Sequence, residues 1–171
     1  MKTQLSAVFV SAALLSGSFA YCNDAKPITT ASKEITMTSS FKKIEVCSNV
    51  QLILTQGINK STISVTGDQS VVPSVNVSIY KGVLSITSRK NLKNKQIKIY
   101  IPVNNLSSLN LGSFSSVTTE GVITLNELNV IVHNGSKVDL HLVGNFEIES
   151  GDDSEFVYEK YEKTKVVYLP Q

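Results

Sequence analysis

Asp139 and His141 stand two positions apart in the run Val138–Leu142 (VDLHL), so in an extended chain both project from one face. A carboxylate beside an imidazole is part of a Ser-His-Asp relay, and Ser115, Ser136 and Ser154 recur nearby. No G-x-S-x-G elbow accompanies them, and Gly112-Ser113-Phe114-Ser115 has the wrong spacing. The pair is read as the solvated side of a strand whose Leu140 and Leu142 face a core, and no catalytic residue is assigned. Gly151-Asp152-Asp153-Ser154-Glu155 gathers oxygen donors suited to Ca²⁺. It lacks both the alternating D-x-D-x-D-G pattern and the glycine-aspartate nonapeptide, so a hydrated acidic corner is the better reading. No Cys/His spacing suggests zinc, and the sequence implies neither metal nor cofactor.

Charge is more informative. The chain carries 16 Lys and Arg against 14 Asp and Glu, which points to no particular partner, but the distribution is uneven. Between Asp68 and Glu120 there is no acidic residue, while Lys81, Arg89, Lys90, Lys93, Lys95 and Lys98 are all basic. From Glu120 onward ten acids face four lysines. Arg89, Lys90, Lys93 and Lys95 crowd one turn and form the candidate anion-binding patch, for a surface glycan or a phosphorylated head group. The plainer reading is that lysines flank strands and discourage edge-to-edge association. Nucleic acid is not expected, because the stretch lacks interleaved aromatics for base stacking. Cys22 and Cys47 are the two cysteines. Three states stay open for them: a disulfide, unpaired thiols, or a lipid anchor on Cys22, for which Tyr21 is a poor preceding residue.

The elements that must position these groups begin after residue 20. Lys2, the apolar run Leu5–Leu15 and Ser18-Phe19-Ala20 have the layout of a secretory signal peptide at 1–20, too short to span a bilayer. No later segment has the length of apolar sequence a transmembrane helix needs. The product is therefore expected in the periplasm or on the outer cell surface. Residues 21–40 read as a polar leader that pairs late or stays mobile. From Phe41 apolar residues recur with period two: Ile44 and Val46; Val50, Leu52 and Leu54; Ile63 and Val65; Val75, Val77 and Ile79; Leu84 and Ile86; Ile97, Ile99 and Ile101. Turn formers fill the gaps, among them Gly67-Asp68 and Lys81-Gly82, and no helical periodicity appears. The pattern predicts an all-β single domain.

The last third repeats itself. LNLGSFSSV (109–117), VIVHNGSKV (130–138) and IESGDDSEF (148–156) each begin apolar, turn through small or polar residues, carry serine at the seventh place and end apolar. The serines, Ser115, Ser136 and Ser154, lie 21 and then 18 residues apart. A period near 20 with one strand and one corner per unit is the mark of a β-solenoid. Asn134-Gly135 is also a hairpin signal. A two-residue turn there would set Val132 against Lys137, however, whereas a three-residue loop would pair Val132 with Val138. The repeat favours a corner between stacked coils.

Phe41-Lys42-Lys43-Ile44-x-Val46, Val50-x-Leu52-x-Leu54-Thr55-Gln56-Gly57, Gly67-Asp68, Gly82-x-Leu84-x-Ile86, the 97–102 strand and the coils that follow are similar to the GIN-domain family, described as putative auto-transporter adhesin heads. Cys47-Ser48-Asn49 keeps only the asparagine of the family's Gly-apolar-Asn turn, and the coils are poorer in Gly and Ser. The resemblance covers 41–156 and implies a right-handed, pectin-lyase-like parallel β-helix in an exported bacterial protein without catalytic residues. The expected organisation is a β-helical domain over 41–157 and a capping strand or tail over 158–171. The expected function is non-catalytic binding of a surface glycan or an envelope protein. An envelope scaffold without a specific ligand is the alternative, and a degenerate carbohydrate-active enzyme stands behind both.

Overall fold

A computed structural model describes residues 29–47, 49–57, 61–92, 95–150, 155–160 and 165–169. The signal peptide, Cys22, Lys93 and the acidic corner 151–154 with Ser154 lie outside the described residues. The alternating runs become β1 (Thr30–Thr36), β2 (Lys43–Val46), β3 (Gln51–Gln56), β4 (Thr62–Asp68), β5 (Val75–Tyr80), β6 (Val83–Ser88), β7 (Ile97–Val103), β8 (Ser108–Leu111), β9 (Ser116–Glu120), β10 (Ile123–Val132), β11 (Lys137–Ser150), β12 (Glu155–Lys160) and β13 (Lys165–Leu169). One 3-10 turn, Val72–Ser74, precedes β5, and no α-helix occurs among the described residues. All thirteen strands belong to one mixed sheet.

That sheet folds around a single core because β10 and β11 are each long enough to change face. Lys137–Leu142 of β11 pairs with β12, and its first residues with β9; Asn145–Ser150 pairs with β10, and Asn145–Glu149 with β13. One face then runs β5-β6-β2-β8-β10-β11-β13 and the other β1-β4-β7-β3-β9-β11-β12. The change of face needs Gly144. Register slips between Thr124 and Glu127 of β10, and a Cβ on Gly144 would sit 1.8 Å from the Leu125 carbonyl oxygen. Only glycine permits so close a backbone approach at a bulge.

Alternation fixes what fills the inside. Leu52 and Leu54, Ile99 and Ile101, Val117, Val130 and Val132, Leu140 and Leu142 point inward and stack strand upon strand into one cluster. Each such aliphatic side chain contributes roughly 1.5–3 kcal/mol on burial, which is what binds the rungs together.

The expectation of a parallel β-helix throughout is met only in part, because the sheet is mixed. The pairings among β2, β3, β6 to β13 are parallel, but β1 with β4, β4 with β7 and β5 with β6 are antiparallel. For β5 and β6 the reason is local. Lys81 and Gly82 have φ of 47° and 77°, the two positive angles of a type I′ turn, and so short a turn can only join antiparallel strands. The leader also does more than expected, since its end forms β1. Ala31, Lys33 and Ile35 face inward, and the Lys33 ammonium is satisfied by the Val75 carbonyl oxygen at 3.2 Å. A lysine on the inner face hid the alternation. At the other end β13 adds a further parallel rung on β11.

Candidate binding site

The corners between the two faces are built alike. Gly112–Ser115 and His133–Ser136 are closed by Ser115 N–H to the Gly112 carbonyl and Ser136 N–H to the His133 carbonyl, each at 3.3 Å. Ser136 Oγ accepts from Ser115 N–H at 3.3 Å and donates to the Gly112 carbonyl at 3.0 Å. One coil below, Ser115 Oγ accepts from Val50 N–H at 3.4 Å and donates to the Cys47 carbonyl at 3.0 Å. Both serines are essentially inaccessible, at 1% and 0% exposure. They pin corner to corner, which is why serine recurs in the repeat. Asn134-Gly135 accordingly lies between parallel strands and is a corner.

With their hydroxyls engaged in this way, Ser115 and Ser136 serve the backbone. His141 Nε2 lies 3.4 Å from Asp139 Oδ1 on the outward side of β11. Among the described residues no group of three His, Cys, Asp or Glu is placed to hold a metal ion, and no helix is long and apolar enough to cross a membrane. Cys47 is half-buried, and that burial pushes its thiol pKa up. Its possible partner Cys22 is outside the described residues. At the acidic corner only Glu155 is described; it is exposed and paired with Lys137 across the rungs at 2.5 Å.

The basic loop is partly neutralised. Arg89 and Lys90 are exposed at the end of β6 and Lys95 just before β7. Lys95 Nζ lies 2.6 Å from Asp68 Oδ2, and Lys90 Nζ donates to the Ser70 carbonyl at 2.8 Å. Asp68 therefore belongs to the patch that its position in sequence only bordered. The Lys95 ammonium, with the Ser70 hydroxyl and N–H, holds its carboxyl well below the usual carboxylate range. Lys98 lies two strands from the sheet edge on β7, and its side-chain ammonium has no hydrogen-bond or ion-pair partner among the described residues. Lys95, Gln96 and Lys98 form a ridge with a cleft on either side. One, of about 580 Å³, is lined by Thr30, Thr66, Asp68 and Tyr100; the other, of about 450 Å³, by Asn49, Gln51, Phe114 and Ser116.

Phe114 was not singled out as a site residue from the sequence. It occupies the sixth place of the repeat, where the next coils carry Gly135 and Asp153, so an aromatic at a turn position was the available signal. Strand order also separates the charges. β6 and β7 lie toward one end of the stack, and β10 to β13, which carry Glu127, Glu147, Glu149 and Glu155, lie toward the other.

A family model described as "putative auto-transporter adhesin, head GIN domain" matches residues 40–157. No curated protein sequence matches the chain. Among solved structures, a putative adhesin from Parabacteroides distasonis superposes with a TM-score of 0.63 at 19% identity, over 76% of this chain and 56% of that one. A putative adhesin from Bacteroides fragilis gives 0.62 at 18%, over 75% and 61%. A putative lipid binding protein from Parabacteroides distasonis gives 0.56 at 18%, over 80% and 59%. At such identities the likeness is one of fold, and this chain spans less than two thirds of the length of each.

Proposed function

The chain belongs to the head GIN domain family of putative auto-transporter adhesins, and from that premise we propose that it is an exported, adhesin-like protein that works by binding rather than by turnover. The family match over 40–157 carries this reading. The surface suits it. Outward positions run in rows across the rungs, as in Lys98, Gln51, Ser116, Lys137 and Glu155, and offer amides, hydroxyls and charges at the strand spacing of about 4.8 Å. A rigid sheet that holds such groups in register can meet an extended glycan or a protein edge with little ordering of its own. In this reading residues 1–20 direct export and are removed, and the parallel coils wind as a right-handed β-helix.

The test is attachment. Beads coated with the protein spanning 21–171 are expected to bind whole bacterial or epithelial cells saturably, and soluble protein is expected to compete. Fractionation of the native cell should place the protein outside the cytoplasm. Saturable attachment absent from every surface tried, with the protein folded, would defeat the proposal.

A further inference from the structure

We propose that the cleft between the Asn49–Phe114 corner and the start of β7 binds an acidic oligosaccharide, with Phe114 as its stacking platform. The proposal rests on the adhesin-like reading above and gives it a site and a ligand class. Phe114 has φ of 59°, in the left-handed region that bulky side chains rarely adopt. The equivalent corner positions hold Asn49 and Gly135, at φ of 62° and 72°, and both residue types adopt that region readily. Burial does not compensate for the aromatic ring, which is 68% exposed. Backbone strain with so little packing in return points to use of the ring by something outside the chain.

The ring is also held in position. A Cβ on Gly135 would come within 2.6 Å of Phe114 Cδ1 and Cε1, so the ring rests directly on the glycine backbone of the next coil. It stands beside the cleft of about 450 Å³, whose buried floor includes Val50, Leu92 and Ile97. The polar rim is made of Asn49, Gln51, Gln96 and Ser116, with Lys98 and Lys95 on one side. These groups match one ligand chemistry. The C–H face of a pyranose packs against the negative face of an aromatic ring, and its hydroxyls pair with side-chain amides that both donate and accept. A carboxylate or sulfate ester on the sugar meets Lys98, whose ammonium has no partner among the described residues. Lys95 is already paired with Asp68, so Lys98 is the charge that selects the acid.

Three probes separate these roles: a short oligogalacturonate, its uncharged methyl ester, and a sulfated galactan oligosaccharide, titrated by calorimetry. The wild type is expected to bind one of the acidic probes about tenfold more tightly than the ester, and the preferred probe identifies the acid group. Phe114→Asn places at this corner the residue type already found at Asn49, so its Tm should match or exceed the wild type. Its affinity for every probe should still fall about tenfold. Lys98→Gln should erase the preference for acid and flatten its salt dependence, leaving ester binding unchanged. A folded Phe114→Asn protein within about twofold of wild type on every probe, or a folded Lys98→Gln protein within about twofold of it on the preferred acidic probe, would overturn the site. So would a wild type that binds none of the three. Cell attachment by the wild type stands apart from either result, so loss of this site and loss of the adhesin-like reading are told apart.

Discussion

Lys81-Gly82 and Asn134-Gly135 are both short turns that place glycine at positive φ between alternating strands, yet they build different things. The first closes an antiparallel hairpin, β5 to β6, at the edge of the sheet. The second turns β10 into β11, which lie parallel with another rung on either side. What separates them is the next residue inward. Ser136 ties its corner to the one below through a buried hydroxyl, whereas the Lys81-Gly82 turn meets the start of β2 through backbone alone, its Gly82 carbonyl accepting from Lys42 and Lys43 N–H. The same contrast divides the molecule. From β8 onward, strand and corner are each templated by the preceding coil. Before β8, parallel rungs such as β2 with β6 and β3 with β7 are mixed with the three antiparallel pairings, and Lys95–Asp68 joins the ends of β4 and β7 at the surface.

Glycine substitutions should expose this contrast most strongly. Gly144→Ala would drive a Cβ into the Leu125 carbonyl, and the face change leaves the backbone little room to give. We expect a loss of at least about 3 kcal/mol in urea unfolding. Gly82 has nothing within 4 Å of its ideal Cβ, so Gly82→Ala meets only the cost of positive φ, about 1 kcal/mol. Equal losses at the two sites would show that the coils are no more constrained than the hairpin.

Serines give the next effect in size. Ser136→Ala leaves the Ser115 N–H and the Gly112 carbonyl without their partner in a site closed to water, for a cost of about 2 kcal/mol. Ser70→Ala, on the exposed β4 turn, removes a bond to Asp68 that water replaces, and should stay within about 0.5 kcal/mol. Thermal unfolding of the two variants side by side measures the difference. If Ser136→Ala unfolds with the wild type, the recurring serine is not what pins the corners.

These pairs also mark what the sequence disclosed. Period-two runs gave nearly every strand up to β7, and the 21-residue spacing of Ser115 and Ser136 located two corners, because both follow from side chains that must face inward. Strand direction was harder to read. Asn-Gly and Lys-Gly turns look similar, and whether the flanking strands are parallel depends on a partner coil some twenty residues distant. β1 was hidden by Lys33, whose inward ammonium finds its acceptor only once Val75 is in place. The site divided in the same way. The basic loop was visible as a run of charge, but the pairing of Lys95 with Asp68 and the convergence of Phe114 on Asn49, Gln51 and Lys98 bring together residues far apart in the chain.

The smallest expected effect concerns that pairing and depends on pH. The native carboxyl of Asp68 titrates below its unfolded value of about 3.9, because Lys95 and Ser70 favour the charged form. A depressed native pKa contributes stability that is fully present above the unfolded value and is lost as pH falls below about 4, where the unfolded state begins to take up the proton first. Asp68→Asn should therefore melt below the wild type at neutral pH, and the gap should close as the pH falls through that window. Added salt should narrow the gap at neutral pH, since the pair is at the surface. The pair anchors the loop that carries Lys95 and Gln96 into the ridge, so the same variant should weaken oligosaccharide binding less than Lys98→Gln does. A gap that stays constant from neutral pH to strong acid would mean that the carboxylate charge does not hold the loop, and that core packing alone holds β4 and β7 together there.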